Sequence, residues 1–221
     1  MLINTLHWTN NIFGSKKDIE NLSKKDSARL LVVSDCHGSS DILESIIRQF
    51  GKECDALLFC GDGIVDLLNI IICAKKDRQL RSLIPSVIAF VRGNCDPDTY
   101  PISRNRTIKL PEKQVLCVNH QNIMIVHGHR EGVDFGMENL AFEMQLSDCK
   151  TAFYGHTHIA KENKLDDYTI INPGSCARPR GGQPESFAII TVGNNFIDTG
   201  YLKIDSDLNG NNSFSHWTPI Y

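Results

Sequence analysis

Residues 29–38 read RLLVVSDCHG. The run from Arg29 to Ser34 is apolar, continuous and of strand length, and it breaks off into a carboxylate, an imidazole and a glycine. Ser40 is placed to cap the next segment, in which Ile42, Leu43, Ile46, Ile47 and Phe50 recur at helical spacing until Gly51 stops it. The reading is strand, loop, helix, with chemistry-bearing side chains in the loop.

The unit recurs. DALLFC (55–60) is a strand, GDG a turn and 64–76 a buried helix; SVIAFV (86–91) is a third strand leading into RGNCDPD, a loop of turn-forming residues. Beyond it the text is richer in strands. KQVLCVNHQNIMIVHG reads as a hairpin, GMENLAFEMQLSDC as a helix, and TAFYG, YTIIN, SFAIITVG and FIDTGYLKI as strands. Sheet layers flanked by helices are the natural packing for such an order. Residues 1–28 read as a polar extension with one apolar cluster at Ile12 and Phe13 and a short helix lying on the domain. The domain itself spans 29–205, and 206–221 is a weakly ordered Asn/Ser/Gly-rich tail.

At 221 residues the chain is long enough to bury a core without disulfide or metal staples. Its 41% hydrophobic and 22% charged residues are ordinary for a globular protein, and no apolar run is long enough to span a bilayer. A net charge of −3 gives no general attraction to nucleic acid or anionic membrane, so any phosphate preference must be local. Eight cysteines without CxxC spacing, and no signal peptide, indicate a reducing cytoplasm. The oligomeric state is left open, a homo-oligomer being one option.

The residues that follow the strands share one character: Asp35 and His37 in SDCHG, Asp62 in GDG, Asn94 in GNCD, His127 in HGH, and His156 with His158 in GHTH. In an extended segment the last two would project to one side, half a metal site, although a pair of surface histidines in a turn after a strand is the simpler reading of YGHTHIA alone. Each motif by itself is weak. Loops beyond the carboxyl ends of α/β strands converge, however, so all seven can meet. Carboxylate, imidazole and amide donors without thiolate suit two divalent ions, Mn first, with Fe, Zn, Ni, Co or Mg as alternatives; Asp62 is the natural bridge between them.

The order D-x-H, G-D, G-N-C-D, H-G-H, G-H-T-H, N-P-G-S resembles the calcineurin-like metallophosphoesterases, in particular the small bacterial and archaeal phosphodiesterase branch that includes the retromer subunit of vacuolar sorting. The resemblance covers about 29–204. It implies an α/β four-layer sandwich, two mixed sheets between helices. It further implies one metal held by Asp35, His37, Asp62 and His158 and another by Asp62, Asn94, His127 and His156, with a metal-bridging hydroxide attacking a small phosphate ester in line. Asn94 would also contact the phosphoryl group. Many relatives carry histidine where this chain has Cys95, so the leaving-group acid falls to His129 or is dispensable with good leaving groups. Cys95, His129 and Arg178 are then candidate substrate contacts. Arg178 and Arg180 read equally well as solvated loop residues, and Asp96 either orients a ligand or caps the turn before Pro97. His7, His120 and His216 receive no role. The competing function is a non-catalytic scaffold on the same fold; a nucleotide-binding module is disfavoured, as there is no GxGxxG or Walker loop.

Overall fold

The computed structural model describes residues 8–9, 12–103, 106–194 and 196–220. His7 and the start of the extension lie outside them. Among the described residues two mixed sheets stack face to face. The larger, eight-stranded sheet has as its centre Ser27–Val33, Ala56–Phe59 and Val87–Phe90, parallel to one another. Ser186–Gly193, Phe196–Ser206 and Asn212–His216 extend it antiparallel on one side, and Ile12–Phe13 and Trp8–Thr9 on the other. The smaller sheet orders Lys161–Leu165, Tyr168–Asn172, Thr151–Phe153, Gln121–Val126 and Lys113–Val118.

Strand alternation sorts the core into three slabs. Leu31, Val33, Leu57, Phe59, Ile88 and Phe90 point outward onto the helices Ser40–Phe50 and Ile64–Cys73. Their neighbours Leu30, Val32, Ala56, Leu58, Val87 and Ala89 point inward onto Leu116, Ile123, Ile125, Phe153 and Ile171 of the second sheet. The far side of that sheet, through Met124, Val126, Ala152 and Ile170, is covered by Leu140 and Met144 of the helix Glu138–Leu146. The expected four-layer sandwich is what forms. The continuous apolarity of RLLVV has its reason here, since both faces of that strand are buried.

Several local expectations are corrected. Ser39, rather than Ser40, stands at the cap position of the first large helix, and its side chain makes no cap hydrogen bond. The helix starting at Ile64 ends at Cys73, three residues early. A short helix Arg78–Leu83, the ribbon Thr99–Ser103 with Arg106–Lys109, and the strand Lys161–Leu165 were not legible as periodic segments. The tail is not loose throughout: Asn212–His216 pairs with Phe196–Ser206, and Phe214 closes an aromatic cluster whose centroids lie 5.3 Å from Phe50 and 5.6 Å from Phe187. The extension, by contrast, does as expected: its helix Lys16–Ser23 lies on the domain with Leu22 buried, and the turn at Asn119 and His120 donates its amides to Leu22 and Ser23.

Phe187 is fully buried in that cluster. Phe187→Ala is expected to cost about 3–5 kcal/mol in urea denaturation. Phe214→Ala should cost about 1 kcal/mol, where a loose tail would give no loss.

Candidate metal centre

The parallel strands of the larger sheet, and Gln121–Val126 and Thr151–Phe153 of the smaller, deliver their following loops to one end of the sandwich. There Asp35, His37, Asp62 and His158 each offer a ligand atom within 4.8 Å of the others. A second group adjoins the first. The Asn94 amide oxygen lies 3.0 Å from His127 Nε2 and 2.9 Å from His156 Nδ1. Asp62 stands between the groups, its Oδ2 being 3.8 Å from His37 Nε2 and 3.5 Å from His127 Nε2. All seven residues singled out in the sequence are thus assembled.

Proton accounting shows what the assembly lacks. His158 Nδ1 faces the Arg178 carbonyl at 2.6 Å, and His127 Nδ1 faces the Cys60 carbonyl at 2.7 Å. In the neutral rings those nitrogens carry the N–H, which leaves Nε2 lone pairs aimed at Asp35 Oδ1 at 3.3 Å and at the Asn94 oxygen. His156 donates through Nε2 to Asp134 at 2.8 Å, so its Nδ1 also meets the Asn94 oxygen with a lone pair. Asp35 Oδ1 is buried and has no hydrogen-bond partner. His37 Nε2 meets His158 Nε2 at 3.0 Å and can donate to it, but around that pair acceptor faces acceptor, and divalent cations are what such a donor set fits.

Electrostatics say the same. Burial opposes a charge on His127, but the adjacent Asp62 and Asp35 outweigh it and raise its pKa. Asp62 is likewise penalised by burial, yet His127 and the Cys95 amide hold its carboxyl well below the usual range. The buried carboxylates call for positive charge, and protons on imidazole are the metal-free substitute.

The backbone is bent to achieve this. Asp35, His37, Asp62, His156 and His158 all adopt left-handed φ, between 46° and 67°. Such residues cost ~1–2 kcal/mol each relative to right-handed backbone. His156 and His158 are therefore not a same-side pair on an extended segment as expected. They sit on a bend, one reaching the Asn94 group and the other the Asp35 group.

Residues outside the ligand set supply the bracing, Asp96 among them in the ligand-orienting role that the sequence left as one of two options. Asp96 accepts four backbone N–H groups, from Asp62 at 2.7 Å, Gly93 at 2.8 Å, Gly63 at 2.9 Å and Ile64 at 3.0 Å. It orients the Asp62 loop and also caps the helix beginning at Ile64, favourably placed at the positive end of that helix. Ser175 Oγ donates to the Asp35 carbonyl at 2.8 Å, and Asn172 Nδ2 donates to the Gly155 carbonyl at 2.8 Å, so the NPGS turn ties two ligand loops together. Gly93 is required by close approach: a Cβ there would lie 2.0 Å from Asp62 Oδ1. Asp134 had no sequence signal, as a lone carboxylate in a loop whose partner is 22 positions away.

The remaining candidates also border the site. Cys95 donates its amide to Asp62 Oδ1 at 2.8 Å, while burial and Asp62 push its thiol up to about 11. The His129 ring centroid lies 5.4 Å from that of His127; its Nδ1 is buried without a partner, and burial together with the neighbouring histidines lowers its pKa. Arg178 touches the site through its carbonyl, and its charge helps depress His37, on which burial is the largest influence. Its exposed side chain pairs with no described carboxylate.

This architecture and donor set define a metallophosphoesterase-like α/β sandwich. The description "Calcineurin-like phosphoesterase superfamily domain" matches residues 29–195, and the chain belongs to that family. It is 32% identical over 168 residues to Phosphodiesterase YfcE of Escherichia coli K12, covering 73% of this chain and 86% of that protein. A crystal structure of a conserved uncharacterized protein, a predicted phosphoesterase, from Streptococcus pneumoniae TIGR4 superposes with a TM-score of 0.63 at 21% identity, over 87% of this chain and 99% of that one. Vacuolar Protein Sorting 29 of Cryptosporidium parvum gives a TM-score of 0.62 at 16% identity, over 88% and 100%. These two show the shared fold. No helix among the described residues is long and apolar enough to cross a membrane.

Asp96→Asn, which turns N–H donors toward backbone N–H groups, should weaken manganese binding by about 10–100-fold in calorimetry while the folded state persists. An unchanged affinity would show that Asp96 only caps the turn.

Proposed function

We propose that this chain is a phosphodiesterase using two divalent ions, Mn by preference, the first held by Asp35, His37, Asp62 and His158 and the second by Asp62, Asn94, His127 and His156. The observation that carries the reading is the inward convergence of carboxylate, imidazole and amide donors, with Asp35 Oδ1 buried and without a hydrogen-bond partner. Ions bound there would supply an acidified water as nucleophile and offset the charge that builds on the phosphoryl oxygens. The protein's own part is to hold the donors rigid through Asp96, Ser175, Asn172 and Asp134, so that little reorganisation accompanies reaction. Asn94, exposed at the rim, contacts the phosphate, and Arg178 stands beside it as a candidate anion contact. The diester preference is supported by the description of YfcE as a phosphodiesterase.

Cys95 is no acid for the leaving group with a thiol near 11. His129, whose pKa burial and the neighbouring histidines lower, donates to the departing oxygen from its protonated form, a stronger acid than the thiol. A scaffold role has less support, because an intact cluster of buried carboxylates is costly to keep without a cation. Eight free thiols support a reducing cytoplasm as its compartment.

Chelator-stripped protein should be inactive on bis(4-nitrophenyl) phosphate and regain turnover with Mn, more strongly than the matching monoester; no metal-restored turnover on either would refute the enzyme reading. His129→Ala should lose progressively more rate as the leaving-group pKa rises across an aryl ester series. A uniform loss rules out the donor role.

A further inference from the structure

A cleft of about 430 Å³ opens beside the metal centre, a size suited to one small-molecule limb. Its floor is apolar, built from Val133, Met137, Tyr154 and Ile159. Its rim carries Lys161 and Arg180. Asp134, the one carboxylate lining it, is already engaged by His156 Nε2 at 2.8 Å. The cleft therefore begins at a residue that holds a candidate ligand. Its outer end stems from the same loop system, for the Arg180 amide donates to the His158 carbonyl at 3.0 Å.

The exposed Arg180 guanidinium makes no ion pair with any described residue. An unpaired planar cation above an apolar floor is arranged to take a carboxylate or phosphate in bidentate fashion while the floor takes a planar group. With an overall charge of −3 there is no general field that draws anions, so attraction for a second anion has to come from local cations such as Arg180.

We propose that this cleft receives one ester limb of the substrate, and that the limb is a planar or apolar group bearing a second anion, as in a 5′-phosphorylated nucleoside. The proposal rests on the phosphodiesterase reading and names its substrate class. The scissile phosphate sits at the metal centre, the base or other planar group lies on the half-buried Met137 and Ile159, and the terminal anion meets Arg180.

The test uses phosphorothioate-linked dithymidine with and without a 5′-phosphate, which resists hydrolysis, titrated calorimetrically into manganese-loaded protein. The 5′-phosphorylated form should bind at least about tenfold tighter to the wild type, and the preference should fall to within about twofold in Arg180→Gln. Arg180 is exposed, so an unchanged urea midpoint for the variant is expected. Equal affinities in the wild type, or a preference that survives Arg180→Gln because the terminal phosphate simply occupies the metal centre, overturn the cleft inference. Hydrolysis of bis(4-nitrophenyl) phosphate by the wild type is measured alongside. Its absence removes the enzymatic reading and this one with it, whereas equal dinucleotide affinities beside normal turnover remove the cleft inference alone.

Discussion

Lone pairs aimed at lone pairs are the constraint around which this molecule is organised. His158 and His127 spend their N–H groups on backbone carbonyls, His156 spends its own on Asp134, and what remains turns inward toward Asp35, Asp62 and the Asn94 oxygen. In water each of these acceptors would be solvated. Held together with Asp35 and Asp62 buried, they repel one another unless positive charge enters, and the surrounding fold must be rigid enough to keep them in place until it does.

That rigidity comes from outside the cluster. The Asp96 carboxylate gathers four amides and in one stroke positions Asp62 and starts the helix at Ile64. Ser175 and Asn172, from a turn between the late strands, anchor the Asp35 and Gly155 backbones. These bonds offset the left-handed backbone of five ligand candidates. The strain sits in loops whose preceding strands end in buried residues, so the sandwich core shares with those bonds in holding it.

The layered architecture also explains why one end of the molecule carries the chemistry. Parallel strands emerge side by side, and because the second sheet packs its own parallel trio against them, loops from both sheets meet above the inner core. The cleft lined by Tyr154 and Met137 lies on the outer flank of the second sheet, next to the helix Glu138–Leu146, so a bound limb would extend sideways from the centre. The edges of the larger sheet are finished by segments near the two ends of the chain, Trp8–Thr9 on one side and Asn212–His216 on the other.

The sequence by itself determined the alternation of strand and helix, the apolar runs buried on both faces, and the identity of the seven polar residues that terminate those runs. Each is a local property: burial on two faces leaves a continuous hydrophobic stretch, and a ligand loop must interrupt it abruptly. Tertiary structure alone decided that His156 and His158 sit on a left-handed bend and serve different groups. It alone decided that Asp96 gathers amides from 62–64 and 93, that Asp134 holds His156, and that Arg180 overlooks an apolar cleft. Those contacts join residues tens of positions apart, through backbone amides that carry no residue-specific signature. A composition rich in Asn, Ser and Gly concealed the final strand for the related reason that an edge strand, exposed on one side, needs only a residue such as Phe214 to bind it to the core.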